Sequence, residues 1–292
     1  MMAPENSLLS LRGLSVSFGG IEAVKLIDLE ELVPAIEQRI ADGFLYGDLQ
    51  FAIDPHSDDF LRRGVFSCYQ PIDDDAHMPE CVKELHPEDW MRLFYLAHTD
   101  KGRAYESYAN YYLSTHGQRY WSDSHQLSEY VDDYHQILDR QLGPSRCGTE
   151  MITEIYVPRA VLPRFMENAR HDLRATGADP IYGTIRFIEK DDESYLAWAK
   201  ERYACIVFNL HTAHTRAALE QTARNFRALI DRAIHYGGSY YLTYHRWATR
   251  DQVEACYPQF CRFLRLKRTY DLEERFQSAW YRHYKTMFAD AL

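Results

Sequence analysis

Seven side chains in the C-terminal half of the sequence are of the kinds that bind or deprotonate a hydroxylated molecule: Arg186 in "TIRFI", Asn209 and His211 in "FNLHT", and Tyr241, Tyr244, His245 and Arg246 in "YYLTYHRW". Residues two apart on a strand share a face, so Asn209 and His211 point the same way, as do Tyr244 and Arg246 if their segment is extended. If the three segments are neighbouring strands, one sheet face gathers Arg, Asn, His and Tyr. Such a face suits a polyhydroxylated or carbonyl compound, with His245 or Tyr244 available to take a hydroxyl proton. Two histidines three apart, His211 and His214 in "HTAH", offer metal ligands, yet no third ligand stands at a recognisable spacing, and capping or surface roles are expected instead. No GxSxG elbow, GxGxxG turn or GxxxxGK[ST] loop occurs anywhere in the chain.

The surrounding pattern says what must position these residues. "LIDLEELVPAIEQRIADGF" reads as an amphipathic helix with Asp28 as N-cap and Gly43 as its stop. "FLYGDLQFAID" and "FLRRGVFSCYQPI", separated by "PHSDD", read as an antiparallel strand pair at one edge of a sheet. From His86 to Gly143 three tyrosine-dense helical runs follow, whose aromatic stripes are read as packing faces. Then come a strand ("EMITEIYVP"), a helix ("RAVLPRFMENARHDLRAT"), two strands ("YGTIRFIEK", "YACIVFNLHT") and a long helix ending at Gly237 and Gly238. Tyr240 to Trp247 is expected to be one more strand. This order predicts an α+β fold: a large antiparallel sheet covered on one face by helices, with a helical tyrosine-rich insertion.

Composition narrows the partners. With 33 Lys and Arg against 43 Asp and Glu, a net charge of −10 disfavours nucleic acid and anionic membrane surfaces. No apolar run is long enough to span a bilayer, and the N-terminus lacks signal-peptide features, so a cytoplasmic location is expected. The six cysteines are dispersed without metal-site spacing and are read as reduced, mostly buried thiols.

Five stretches taken together carry a family resemblance: "GFLYGDLQFAIDPHSDDFLRRGVFSCY", "EIYVPR", "IRFIEKDDESYLAWA", "GGSYYLTYHRWAT" and "YPQFCRFLRLKRTYDLEERFQSAW". From about Leu26 to Tyr284 the chain resembles the cap (substrate) domain and C-terminal segment of FAD-linked oxidoreductases of the vanillyl-alcohol oxidase superfamily, nearest the alditol, aldonolactone and decaprenylphosphoryl-ribose oxidases. The resemblance implies oxidation of a CH–OH group on a hydroxylated, sugar-like small molecule, with FAD as acceptor. It implies catalytic roles for Tyr244, His245 and Arg186, substrate binding by Asn209, His211 and Arg246, and cofactor contacts from Tyr241, Tyr244 and His245. Relatives acting on sugar alcohols carry Glu where this chain has Thr184 and Lys where it has Tyr244, which points to a different substrate. Asp271-Leu272 replaces the family's Asp-Pro, which should loosen that turn.

The family's N-terminal FAD-binding domain has no counterpart in this sequence. Impaired flavin binding by this chain alone is therefore expected, and a separate FAD-binding domain or chain would be a partner. "LLSLRGLSVSFGGIEAVK" instead resembles the start of ABC transporter ATP-binding subunits, without a Walker A loop. The expected organisation is a graft-like segment over 1–25, the cap domain over 26–248, and a helical segment over 249–292 that would pack against an FAD-binding domain. The alternative is a non-catalytic remnant or interaction module produced by gene rearrangement.

Overall fold

A computed structural model describes residues 20–72, 79, 82–119, 131–143 and 147–292. Most of the graft-like segment, Cys81 and the start of the third helical run, residues 124–130, lie outside the described residues. The chain divides into two compact units, Met1–Cys147 and Gly148–Leu292.

In the first unit, strand β1 (Gly20–Asp28) leads directly into helix α1 (Leu29–Ala41), so the expected boundary at residue 25 falls inside a strand. Leu29, Leu32 and Ile36 form the buried stripe of α1, and Gly43 follows it at φ 89°, as the sequence pattern requires. Strands β2 (Tyr46–Phe51) and β3 (Arg63–Gln70) are the expected antiparallel pair, with Leu49 opposite Phe66. β1 adds to the other side of β3, with Ile27 opposite Gly64, so β3 is central within this unit rather than at an edge. Helices α2 (Pro87–Thr99), α3 (Lys101–Ser114) and α4 (Tyr134–Leu142) occupy the tyrosine-dense region. On α3, Tyr105, Tyr108 and Tyr112 pack with Tyr69 around Val24, Val65 and Ala109. Burial pushes the Tyr105 phenol up to about 12. That is the behaviour of a packing residue rather than a proton donor.

The second unit holds strands β4 (Gly148–Pro158), β5 (Pro180–Ile188), β6 (Tyr203–Ala213) and β7 (Ser239–Tyr240), in the order β5-β6-β4-β7. Every pairing within either unit is antiparallel, and the fold is α+β. Alternation along the strands divides the side chains between two faces. Ile155, Val157, Ile185, Ile206, Phe208 and Leu210 lie on the face covered by helices α5 (Leu162–Thr176) and α6 (Arg216–His235), whose Phe165, Met166, Phe226, Leu229 and Ile230 are fully buried. A hydrogen bond of 2.9 Å between Thr212 on β6 and Thr222 on α6 ties that layer together.

Helix α6 ends as its glycines require. Gly237 adopts φ 77°, and the N–H of Gly238 closes onto Ala233 O at 2.7 Å. The last helices, α7 (Arg250–Cys256), α8 (Phe260–Tyr270) and α9 (Ala279–Met287), follow, α7 opening with a capping box from Thr249 and Gln252. Phe260 anchors this end of the unit, packing against Phe263, Trp280, Tyr284 and Phe288. The turn after α8, which carries Asp271-Leu272, is tied by a side chain. Asp271 accepts from the backbone N–H groups of Arg275 (2.8 Å) and Phe276 (3.0 Å) and pairs with Lys267, fixing the turn through its side chain.

Among the described residues no helix is long and apolar enough to cross a membrane. Cys68, Cys205 and Cys256 are buried cysteines.

Candidate functional site

The face of β4, β5 and β6 opposite α5 and α6 carries the polar residues singled out in the sequence. Arg186 stands opposite Cys205, which stands opposite Tyr156; Tyr182, Asn209 and Ile152 form a second row, and His211 and Glu150 a third. Arg186, Asn209 and His211 therefore share a face, as the alternation predicts. They do not share a site. His211 lies six residues along β6 from Cys205, which at about 3.3 Å per residue is roughly 20 Å. One small molecule cannot touch both ends.

The end at Arg186 is built around a carboxylate. Glu154, only 5% exposed, accepts from Arg186 Nη2 at 3.2 Å and from the Tyr156 hydroxyl at 2.6 Å. Isolated, a carboxylate buried this deeply costs several kcal/mol, so it persists because donors surround it. Burial alone would lower the Arg186 pKa, but the neighbouring Cys205, Glu154 and Tyr244 raise it when ionised, and at neutral pH the Glu154 carboxylate is the anion that pairs with the guanidinium. Burial, then Glu154, pushes the Tyr156 phenol and the Cys205 thiol up, so both stay protonated. Around this cluster Trp198 packs on Tyr156 (ring centroids 5.5 Å) and on Tyr241 (6.1 Å), and Tyr241 on Tyr244 (4.8 Å). Tyr244 remains 41% exposed, and burial together with Glu154 raises its pKa. At neutral pH it is a protonated hydroxyl, which is a poor state for a base.

The segment after β7 departs from the expected strand. Only Ser239 and Tyr240 pair with β4, and Tyr241 still donates to Glu154 O at 2.8 Å before the chain turns away. Side chains from distant elements take over its backbone groups: Trp280 Nε1 donates to Leu242 O at 2.9 Å and Arg227 Nε to Trp247 O at 2.6 Å. Without strand alternation, Tyr244, His245 and Arg246 diverge. Tyr244 joins the Arg186 cluster. Arg246 reaches Ala279 O at 3.1 Å, at the start of α9. His245 turns to the helix-covered side, where it meets Thr153 Oγ1 at 3.1 Å, packs at a tilt on Phe226 and stacks on Tyr240. Its ring is 5% exposed and does not meet Arg186.

At the far end, His211 Nδ1 approaches Glu150 Oε1 at 3.2 Å, and its ring lies so close to Gly148 that an added Cβ there would meet Cε1 at 2.4 Å. His214 bonds instead to Thr149 at 2.8 Å, so the two histidines of "HTAH" do not converge on one ligand. Asn209 Oδ1 is buried without a hydrogen-bond partner.

Sequence reasoning missed Glu154, Tyr156, Cys205 and Trp198. A signal for the first was present: in "MITEIYVP" Glu154 is the one charged residue, on the same face as Ile152 and Tyr156. Thr184 stands two residues before Arg186 on β5, and the carboxylate that meets Arg186 comes from β4.

No known protein-family model matches the chain, and none of the curated proteins matches it in sequence.

Proposed function

We propose that the second unit is the substrate half of an FAD-dependent oxidoreductase acting on the CH–OH group of an uncharged, hydroxylated small molecule. The observation that supports this reading is the Glu154–Arg186–Tyr244 cluster, a half-exposed guanidinium on a buried carboxylate and a phenol walled by Trp198 and Tyr241 on the sheet face away from the helices. Arg186 and Tyr244 donate to the substrate oxygen and stabilise negative charge as its proton leaves. Glu154, in contact with Arg186, is the carboxylate at that end able to receive the proton. FAD, when bound, would take the hydride.

The described residues suit the flavin ring better than the pyrophosphate. Arg186, Tyr241 and Tyr244 offer donors and aromatic surface. The described glycines with positive φ, Gly43, Gly117, Gly143, Gly177 and Gly237, all follow helices, at the negative end of the helix dipole, where a phosphate is not held. A separate flavin-binding domain or chain would supply that part. With FAD in excess and oxygen removed, the purified chain is expected to bleach the flavin's visible absorbance when given a polyol, and Arg186→Met is expected to abolish this. Absence of bleaching at saturating FAD across a panel of alcohols would sink the reading.

A second reading, an interaction module, is favoured by one feature. Tyr270, at the end of α8, and Leu272 and Phe276, on the turn after it, are 87%, 85% and 81% exposed, while the acidic side chains of that turn are spent on internal pairs. Size-exclusion chromatography tests it: Leu272→Ser with Phe276→Ser is expected to remove any association, and a wild-type monomer that binds no hydrophobic dye would exclude it.

A further inference from the structure

Arg186 is a cation that already has its anion. From this we infer that the site selects uncharged hydroxyl groups against carboxylates, and that Glu154 sets the preference; the inference rests on reading this face as a substrate site. The Arg186 side chain is 48% exposed, whereas Glu154 behind it is 5% exposed. A half-exposed guanidinium between aromatic side chains would by itself be a good site for a ligand carboxylate, which it can grip with two parallel hydrogen bonds. Here one nitrogen is committed to Glu154, and the charges sum to zero within the cluster. Tyr156, donating to the other carboxylate oxygen, keeps Glu154 from swinging away.

A ligand carboxylate arriving at Arg186 would stand within two hydrogen-bond lengths of the Glu154 carboxylate, where low-dielectric surroundings screen repulsion poorly. A hydroxyl group meets no such penalty. It accepts from Arg186 or Tyr244 and donates toward Glu154, satisfying both signs of charge. Trp198, Tyr241 and Tyr244 match the C–H faces of such a molecule. Packing alone does not call for a carboxylate at this position. Val207, paired with Glu154 across the strands, and Ile152 and Tyr156 on its own strand make an apolar neighbourhood that a leucine would suit.

The test uses glucitol and gluconate, which share a carbon chain and differ in the terminal carboxylate, with binding read from protein fluorescence in the absence of flavin. Trp198→Phe assigns the signal. Wild type is expected to bind glucitol about tenfold or more tighter than gluconate, the scale of one hydrogen bond to a charged group. Glu154→Gln keeps the shape and removes the charge, and the preference is expected to invert. Arg186→Met, at a half-exposed position, keeps the test usable if Glu154→Gln does not fold: glucitol binding should fall about tenfold and gluconate binding should not improve. Equal affinities in wild type, an unchanged preference in Glu154→Gln, gluconate gained by Arg186→Met, or binding of neither probe would each overturn the proposal. Inversion of the preference without flavin bleaching would keep the selectivity and reject the oxidoreductase reading; bleaching with charge-blind binding would do the reverse.

Discussion

Lowering the pH from 6.5 to about 4 is expected to remove roughly 3 kcal/mol of folding stability through His245 alone. Burial, and secondarily the nearby Arg227 cation, depress its pKa from 6.5 to about 4. The geometry says why the proton is unwelcome. Nδ1 accepts the Trp247 N–H at 3.3 Å and must be bare, which leaves Nε2 to donate to Thr153 Oγ1 at 3.1 Å. Because the folded pKa lies below the unfolded one, the unfolded chain takes up a proton that the folded chain refuses. Stability is complete above pH 6.5, falls through the window, and levels off below about 4 once the folded ring is protonated too. Urea midpoints measured across this range, for wild type and His245→Asn, check the expectation. The variant loses ring packing against Phe226 and Tyr240 and starts lower at neutral pH, but its pH slope should be flatter by the His245 share. An unchanged slope would show that other groups carry the acid sensitivity.

Gly238→Ala is expected to cost about 4 kcal/mol or to prevent folding of the second unit, at the upper end of single-substitution effects, where severe overpacking falls. A Cβ at this position would lie 2.0 Å from Tyr156 O and 3.0 Å from Ala233 O, both backbone atoms that cannot step aside. The first belongs to β4 and the second to the last turn of α6, so the methyl group would wedge the helix end off the sheet. The conflict would propagate to Tyr241 and Tyr244, which follow within a few residues. Gly237→Ala is the control. Its φ of 77° makes alanine strained, but nothing lies within 4 Å of its Cβ position, and a loss of about 1 kcal/mol is expected. Thermal unfolding of the pair separates the two causes, and equal losses would contradict the close approach at Gly238.

The resemblance named Tyr244, His245 and Arg246 as neighbours in one site, and the structure sends them three ways. The reason is visible only in three dimensions. β7 stops after two residues because Trp280 and Arg227, 38 and 20 positions away from their partners, hydrogen-bond to the carbonyls that a strand neighbour would have used. Nothing in "YYLTYHRWAT" itself announces those donors, and its β-branched and aromatic content reads locally as strand.

Local and periodic features were legible without coordinates. The apolar stripes of α1, α5 and α6, the glycine stop after α6, the β2–β3 pair and the α+β order follow from spacing, because one face of each element must be buried. The shared face of Arg186, Asn209 and His211 follows from strand alternation in the same way. Tertiary structure alone decided the rest: that β1 pairs with β3, that Glu154 pairs with Arg186 while accepting from Tyr156, that His211 stands roughly 20 Å along β6 from Cys205 in that cluster, and that His245 belongs to the core. Those outcomes depend on register between strands distant in sequence and on which buried polar group finds a partner, and periodicity within one segment carries no information about either.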